Sequence, residues 1–295
     1  DEFQMSMSKE SRDVEDMKPT KRNVLKIAAS FYDPLGWINP IVIQARILYQ
    51  RICETSANWD DLMKDELKED WNEFLRNVEA LQSITIDRYV FAQLPGQIAE
   101  IEIHGFSDAS LKAYAAACYV RTVNPNGTIT NLVASKAKVA PLKKRLTIPR
   151  LELMGCLLLS EMIQNIKEIL GSIIHVTRTF CWTDSEICLH WINGVDKDWK
   201  VWVENRVNKI RAVKVDGWRY VESKMNPADI ATKKHDFVKI LRDEELWWRG
   251  PPFLLHEFEA WPVKDSNCSI SIDAERERRN RSSRLPKEPE SHILH

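Results

Sequence analysis

The chain has 295 residues, with 42 Lys plus Arg against 43 Asp plus Glu for a formal net charge of −1. That balance excludes a basic arm as the whole basis of any nucleic-acid contact, and equally an acidic disordered tail protein. With 44% apolar and 29% charged residues the chain reads as globular and long enough to bury a real core. Only 9 glycines argue against Gly-rich sandwiches, propellers and phosphate-cradling loops. The 6 cysteines contain no C-x-x-C pair, and five of them (Cys53, Cys118, Cys156, Cys181, Cys188) sit in apolar stretches where a small buried hydrophobe is expected.

Residues 1–20 are polar apart from a few Met and predict a disordered lead-in, and Asp1 in place of Met suggests a piece of something longer. Residues 21–58 are apolar and carry five bases against two acids; residues 60–79 reverse the sign, with eight acids against three bases. In that second stretch Leu62, Leu67, Trp71, Phe74, Leu75 and Val78 recur at helical spacing, with Asp60 or Asp61 as the expected cap. Glu100–Phe106 then alternates with the period of a strand. Ala113–Val120 and Thr130–Ala137 continue an antiparallel meander across the turn signal Asn124-Pro125-Asn126-Gly127. A long helical pattern follows from Thr147 and stops at Gly171, then a strand over His175–Thr183 and a short helix over Ser185–Ile192. Trp199–Val213 is expected to be helical, Trp218–Glu222 a fifth strand, and a helical pattern runs from Lys234 to Trp248. The tail from Lys264 is charged and poor in apolar residues, which predicts disorder.

The order β-β-β-α-β-α-α-β implies an α/β fold, a mixed five-stranded sheet flanked by helices and preceded by a mostly α-helical segment. The boundaries expected are a lead-in over 1–20, a helical connection over 21–98, the α/β domain over 99–235, an extension over 236–262 and a tail over 263–295. The longest apolar run, around Cys156–Leu159, is too short to cross a bilayer, and no secretory signal is visible. The reading is a soluble intracellular chain.

Four acids stand at the ends of elements. Asp108 follows the first strand, Glu152 lies in the first turn of the long helix, Asp184 ends the fourth strand and Asp229 follows the fifth. Singly, each reads as a cap or a complement to the helix dipole. Together, at the carboxyl ends of strands where ligand crevices form, they read as one cluster. Converging carboxylates repel one another, and the arrangement becomes favourable once hard divalent cations lie between them. Two Mg²⁺ ions so held can serve an in-line phosphoryl transfer.

The blocks carrying these acids, Phe106-Ser107-Asp108-Ala109-Ser110, Ile148-Pro149-Arg150-Leu151-Glu152-Leu153, Trp182-Thr183-Asp184-Ser185 and Asn226-Pro227-Ala228-Asp229-Ile230-Ala231, resemble the ribonuclease H domain of BEL/Pao-type LTR retrotransposon Pol polyproteins. Upstream, Phe31-Tyr32-Asp33-Pro34-Leu35-Gly36 is similar to the block linking reverse transcriptase to ribonuclease H in that family. Downstream, Trp247-Trp248-Arg249-Gly250-Pro251 is similar to the segment preceding its integrase. The resemblance implies that Asp108, Glu152, Asp184 and Asp229 form a metal-binding set for Mg²⁺, with Mn²⁺ as a substitute. It implies cleavage of the RNA strand of an RNA–DNA hybrid, leaving 3′-hydroxyl and 5′-phosphate ends. It further implies the remaining Pol polyprotein (reverse transcriptase and integrase) as partner, and a cytoplasmic, virus-like-particle location with nuclear access. Ser223-Lys224-Met225 lacks the histidine many relatives carry, and Thr232-Lys233-Lys234 stands where Ser-Arg-Gly is more usual.

Lys136–Arg150 holds six bases and no acids (Lys136, Lys138, Lys143, Lys144, Arg145, Arg150), and phosphate contact is expected of Arg150. For the lysines a solvated loop is an equal alternative. Lys200, Arg206, Lys209, Arg211 and Lys214 form a second basic set that could follow a hybrid's backbone, while Trp199 and Trp202 are expected to pack against the sheet. No zinc site is expected, because His175, His190, His235 and His256 have no cysteine partners at finger spacing. Polymerase activity is excluded by the missing Y-x-D-D turn. An aspartic peptidase is excluded because neither Asp108 nor Asp184 begins the required D-T-G or D-S-G. The alternative to an enzyme is a silent remnant, degenerate or host-adopted, that binds nucleic acid or acts as a scaffold without cutting.

Overall fold

A computed structural model describes residues 2–4, 17–81, 85–87, 100–143, 145–194, 198–233, 245–263 and 275–279. Most of the expected lead-in and tail, Lys144, His235 and the first part of the helical pattern after Lys234 lie outside the described residues. Among those described, no helix is long and apolar enough to cross a membrane.

Strand β1 (Glu2–Gln4) pairs antiparallel with β2 (Thr85–Asp87), apart from the main sheet. Helix α1 (Lys21–Ser30) starts where the Thr20 hydroxyl accepts the Asn23 N–H at 3.3 Å. Before α2 (Asn39–Cys53) the Asp33 carboxylate accepts the N–H groups of Trp37 and Ile38, both at 2.9 Å, which fixes the tight Asp33–Gly36 bend. Helix α3 (Asp65–Leu81) buries Trp71, Phe74, Leu75 and Val78. It begins after the expected caps, because those acids have other partners. Asp60 pairs with Arg22 at 2.8 Å, and Asp61 takes the Asn58 N–H at 2.8 Å. Cys53, expected to be buried, is exposed at the end of α2, whereas Cys118, Cys156, Cys181 and Cys188 are buried as expected.

The main sheet has five strands in the order β5-β4-β3-β6-β7. Strands β3 (Glu100–Ala109), β4 (Ala113–Asn124) and β5 (Gly127–Val139) form the antiparallel meander. Strands β6 (Arg178–Thr183) and β7 (Gly217–Tyr220) add in parallel, β6 beside β3. Each face carries a layer, and the alternation of side chains along β3 divides its residues between them. Ile103 and Ala109 face helices α4 (Ile148–Gly171), α5 (Glu186–Asn193) and α6 (Val201–Ala212). Phe106 faces a second core that includes Val24, Ile41, Trp71, Trp182, Trp247 and Trp261. Helices α1–α3 therefore share one core with the sheet. Trp199, expected to open α6, instead forms an antiparallel bridge with Arg278.

The same face holds the C-terminal extension: α7 (Glu245–Arg249) and the 3₁₀ turns Pro252–Leu255 and Phe258–Ala260. The Arg121 guanidinium donates to the carbonyls of Leu254 (2.6 Å) and His256 (3.1 Å) and to the Glu102 carboxylate (2.7 Å). Glu102 is fully buried and also takes Arg178 and His104. The Trp182 indole donates to His104 Nδ1, which leaves the proton on Nε2, facing Glu102. His104 is thus a neutral spacer in an ionic cluster that latches the extension onto the sheet.

Candidate active site

Strands β3 and β6 run parallel with Ser107 opposite Thr183, so the next residues, Asp108 and Asp184, emerge side by side at the carboxyl end of the sheet. Asp108 is only 6% exposed and shares the strand parity of Phe106, on the face of α1–α3. Glu152 arrives from the opposite face in the first turns of α4. Its approach depends on Gly155, where an added Cβ would lie 3.0 Å from the Asp108 carbonyl oxygen. Asp229 is carried by the 3₁₀ turn Pro227–Ala231. Asn226 anchors that turn: it is fully buried, its amide donates to the Ser107 carbonyl at 2.9 Å, and its side-chain oxygen accepts the Ala228 N–H at 3.2 Å. The four acids expected from sequence therefore meet at one end of the sheet, drawn from both of its faces.

Each acid has a nearby donor. The Thr232 hydroxyl donates to Asp108, Ser185 to Glu152 and Ser223 to Asp184, while the Lys233 ammonium pairs with Asp229. Ser185 has two roles, since its oxygen also accepts the Cys188 N–H and so caps α5. The electrostatics follow from crowding. Burial, then the charge of Asp184, push Asp108 up to about 7; Asp229 adds to this, against the Thr232 hydrogen bond and the charge of Lys233. Burial also raises Glu152, opposed by Ser185 and reinforced by Asp184. Burial works to lower Lys233, but the hydrogen bond and charge of Asp229, with Asp108 and Asp184 behind it, raise it overall.

This donor set fits hard divalent cations in kind: carboxylate oxygens, partly buried and mutually repelling. In spacing it is still open. Among the described residues no three His, Cys, Asp or Glu side chains stand close enough together to hold one ion.

The basic residues divide into three groups. Lys136 and Lys138 are exposed on edge strand β5, opposite Ala116 and Tyr114, which in turn pair with Ser107 and Ala109. They flank the Asp108 row at about 10 Å, two strand spacings away. Arg150 and Arg206 lie over the Trp202 ring, at 4.9 and 3.6 Å from its centre. Arg150 also forms a two-pronged pair with Glu277 at 2.8 and 2.9 Å, and Lys200 lies 3.9 Å from the same carboxylate. Arg211, grouped with them in sequence, instead donates to the carbonyls of Trp191, Ile192 and Gly194 and closes the end of α5. Lys143 and Arg145 are exposed.

Sequence reasoning missed Ser185, Ser223 and Thr232 as partners of the acids, and Asn226 and Gly155 as the residues that bring them together. Asn226 was within reach, because an Asn-Pro pair opening a short turn is a capping signal. Glu277 had no signal at all.

Residues 20–185 match the family described as the Pao retrotransposon-like RNaseH-like domain, a span that includes Asp108, Glu152 and Asp184 and ends before Asp229. No curated protein sequence matches significantly. Among solved structures, the chain is similar to RNase H1 from the halophilic archaeon Halobacterium salinarum NRC-1, at 13% identity over 44% of this chain and 91% of that one, with a TM-score of 0.30. It is similar to LC11-RNase H1 in complex with an RNA/DNA hybrid, at 17% identity over 44% and 91%, with a TM-score of 0.30. It is similar to the foamy viral protease-reverse transcriptase in complex with dsDNA, at 12% identity over 74% of this chain and 42% of that one, with a TM-score of 0.38. With more than half its length matched, the chain belongs to the Pao retrotransposon-like RNaseH-like domain family.

Proposed function

We propose that the chain is a ribonuclease H-type endonuclease that cuts the RNA strand of an RNA–DNA hybrid. Asp108, Glu152, Asp184 and Asp229 would hold two Mg²⁺ ions, or Mn²⁺ in their place. The observation that carries this reading is the convergence of four acids on the carboxyl end of β3 and β6. Asp108 feels the charges of Asp184 and Asp229, and Glu152 feels that of Asp184, with Lys233 the nearby ammonium. Such crowding costs stability unless cations offset it. When bound, the ions would activate a water and stabilise the leaving oxygen. The protein's part is to fix the acids: Asn226 sets the Asp229 turn, Gly155 sets the reach of Glu152, and Ser185 orients Glu152 while capping α5. Lys136, Lys138, Arg150, Lys200 and Arg206 would contact the hybrid's phosphates. The physiological partners are then the reverse transcriptase and integrase portions of a Pol polyprotein.

A second reading, a chain that grips nucleic acid without cutting, is favoured by one observation. Among the described residues no three of the acids stand close enough together to hold one ion, and Asp229 is paired with Lys233. One experiment separates the two. Purified protein given a labelled hybrid and Mg²⁺ is expected to cut the RNA, and Asp184→Asn to lose at least about 100-fold in rate while binding the hybrid as before. Equal rates for the two proteins would remove Asp184 from the site. Binding without cleavage by either would favour the silent reading.

A further inference from the structure

Residues 275–279 cross the starts of α4 and α6 as a short strap. The Lys200 N–H donates to the Glu277 carbonyl at 2.7 Å, and the Arg279 N–H donates to the Asp198 carbonyl at 2.8 Å. Arg278 bridges Trp199 and lies 5.5 Å over its ring, while Arg279 pairs with Glu204. These contacts carry the Glu277 carboxylate, in a residue 8% exposed, onto the two nitrogens of Arg150. Lys200 donates to the Arg276 carbonyl at 2.6 Å and sits 3.9 Å from Glu277.

A guanidinium fork with an ammonium beside it, next to an aromatic face, is the arrangement with which proteins hold a phosphodiester. Arg150 lies two residues before Glu152 at the start of α4, and Trp202 carries Arg206 on its ring as well. The fork is taken by the Glu277 carboxylate, and the ammonium by the Arg276 carbonyl with that carboxylate 3.9 Å away. We propose that the strap is an autoinhibitory contact, with Glu277 occupying, on Arg150 and Lys200, the place of a backbone phosphate of the RNA–DNA hybrid. This inference rests on the hybrid reading above and adds to it a regulation, release of the strap.

The exchange is close to balanced, because one anion replaces another on the same fork. The strap therefore sets affinity and salt sensitivity and does not abolish binding. The consequence can be read in counterion release. While Glu277 holds both nitrogens of Arg150, that guanidinium does not neutralise a phosphate, and the nearby Lys200 is tied to the strap through the Arg276 carbonyl. Freeing them should steepen the slope of log K against log salt by about 1 to 2, at roughly 0.9 per phosphate contacted.

The test uses the full chain, Glu277→Gln, a chain ending at residue 263, Arg150→Ala and the double substitution. Each is titrated against a fluorescent RNA–DNA hybrid in EDTA at several salt concentrations, with Mg²⁺ cleavage measured in parallel. Glu277→Gln and the shortened chain are expected to bind about 3- to 10-fold more tightly at low salt, with the steeper slope. Arg150→Ala is expected to cancel the gain in the double substitution. If Glu277→Gln and the shortened chain keep the Kd and slope of the full chain, or bind more weakly, Glu277 is only a latch and the proposal falls, whatever the cleavage result. If they bind more tightly and steeply but no protein cuts, the strap stands and the nuclease reading falls. If none binds the hybrid, both fall.

Discussion

The Asp108 carboxyl is 6% exposed and faces Asp184 and Asp229, and at about 7 it stands well above an unfolded value near 3.8. A carboxyl raised on folding adds stability while it is protonated. That contribution is fully present below 3.8 and is lost as pH rises towards 7. Each pH unit between them is worth about 1.4 kcal/mol, so the ionised site costs the metal-free protein about 4 kcal/mol at pH 8. Asp108→Asn removes the charge and leaves an oxygen to accept the Thr232 hydroxyl. In EDTA it is expected to raise Tm, by more at pH 8 than at pH 5, even as cleavage is lost. Differential scanning fluorimetry across pH checks this, and an unchanged or lowered Tm at pH 8 would mean the carboxylate is not strained. The four acids were legible because each ends a regular element, a pattern that chance seldom repeats four times. Their hydroxyl partners were not legible, because Ser and Thr crowd every turn and only the fold selects Ser185, Ser223 and Thr232.

Elements in this chain are joined by contacts at their ends. The bend before α2 covers the exposed edge of β5: the Ser135 N–H donates to the Leu35 carbonyl at 2.8 Å, and the Trp37 indole donates to the Val133 carbonyl at 3.1 Å. An uncovered edge would invite pairing with another chain. Gly36 makes the contact possible. Its φ is +74°, and an added Cβ would lie 2.0 Å from the Ser135 carbonyl oxygen, a backbone atom that cannot turn aside. Gly36→Ala is therefore expected to cost about 3 kcal/mol or more, combining left-handed strain with displacement of the bend. Urea denaturation reads this as a lower midpoint, and an unchanged midpoint would show that the bend is not packed on β5. Strands β3–β5 and helix α4 were legible because period 2 gives way to period 3.6 across clear turn signals. The start of α3 was not, because Asp60 and Asp61 look like caps until Arg22 and Asn58, brought close by the fold, claim them. Glu277 meets Arg150 across 127 residues, and no local pattern encodes such a pair.

Across the whole molecule, β3 carries two opposed titrations roughly 20 Å apart, Glu102 at one end and Asp108 at the other. Burial alone would raise Glu102, but the His104 hydrogen bond and the charge of Arg121 hold it at about 2, below an unfolded 4.5. Its contribution is present above 4.5 and is lost as pH falls towards 2. Burial lowers His104 below its ordinary 6.5, so stability also falls as pH drops beneath 6.5 and the unfolded histidine takes up a proton. Asp108 acts in the opposite sense, gaining stability as pH falls from about 7 to 3.8, and Glu152 acts with it. Loss at His104 and gain at Asp108 therefore oppose one another below pH 6.5, so metal-free stability should change less with pH there than either group alone would make it. Asp108→Asn is expected to unmask the loss at His104 as a steeper fall with decreasing pH, and Glu102→Gln to weaken the acid limb while lowering stability throughout. Divalent cations act on the other side of the balance, since they bind the ionised carboxylates of the native state and stabilise it by mass action. Saturating Mg²⁺ should therefore raise Tm more at pH 8 than at pH 5, and Asp108→Asn should lose most of that rise. An equal rise in both proteins would place Mg²⁺ elsewhere on the surface, and this readout requires no cleavage.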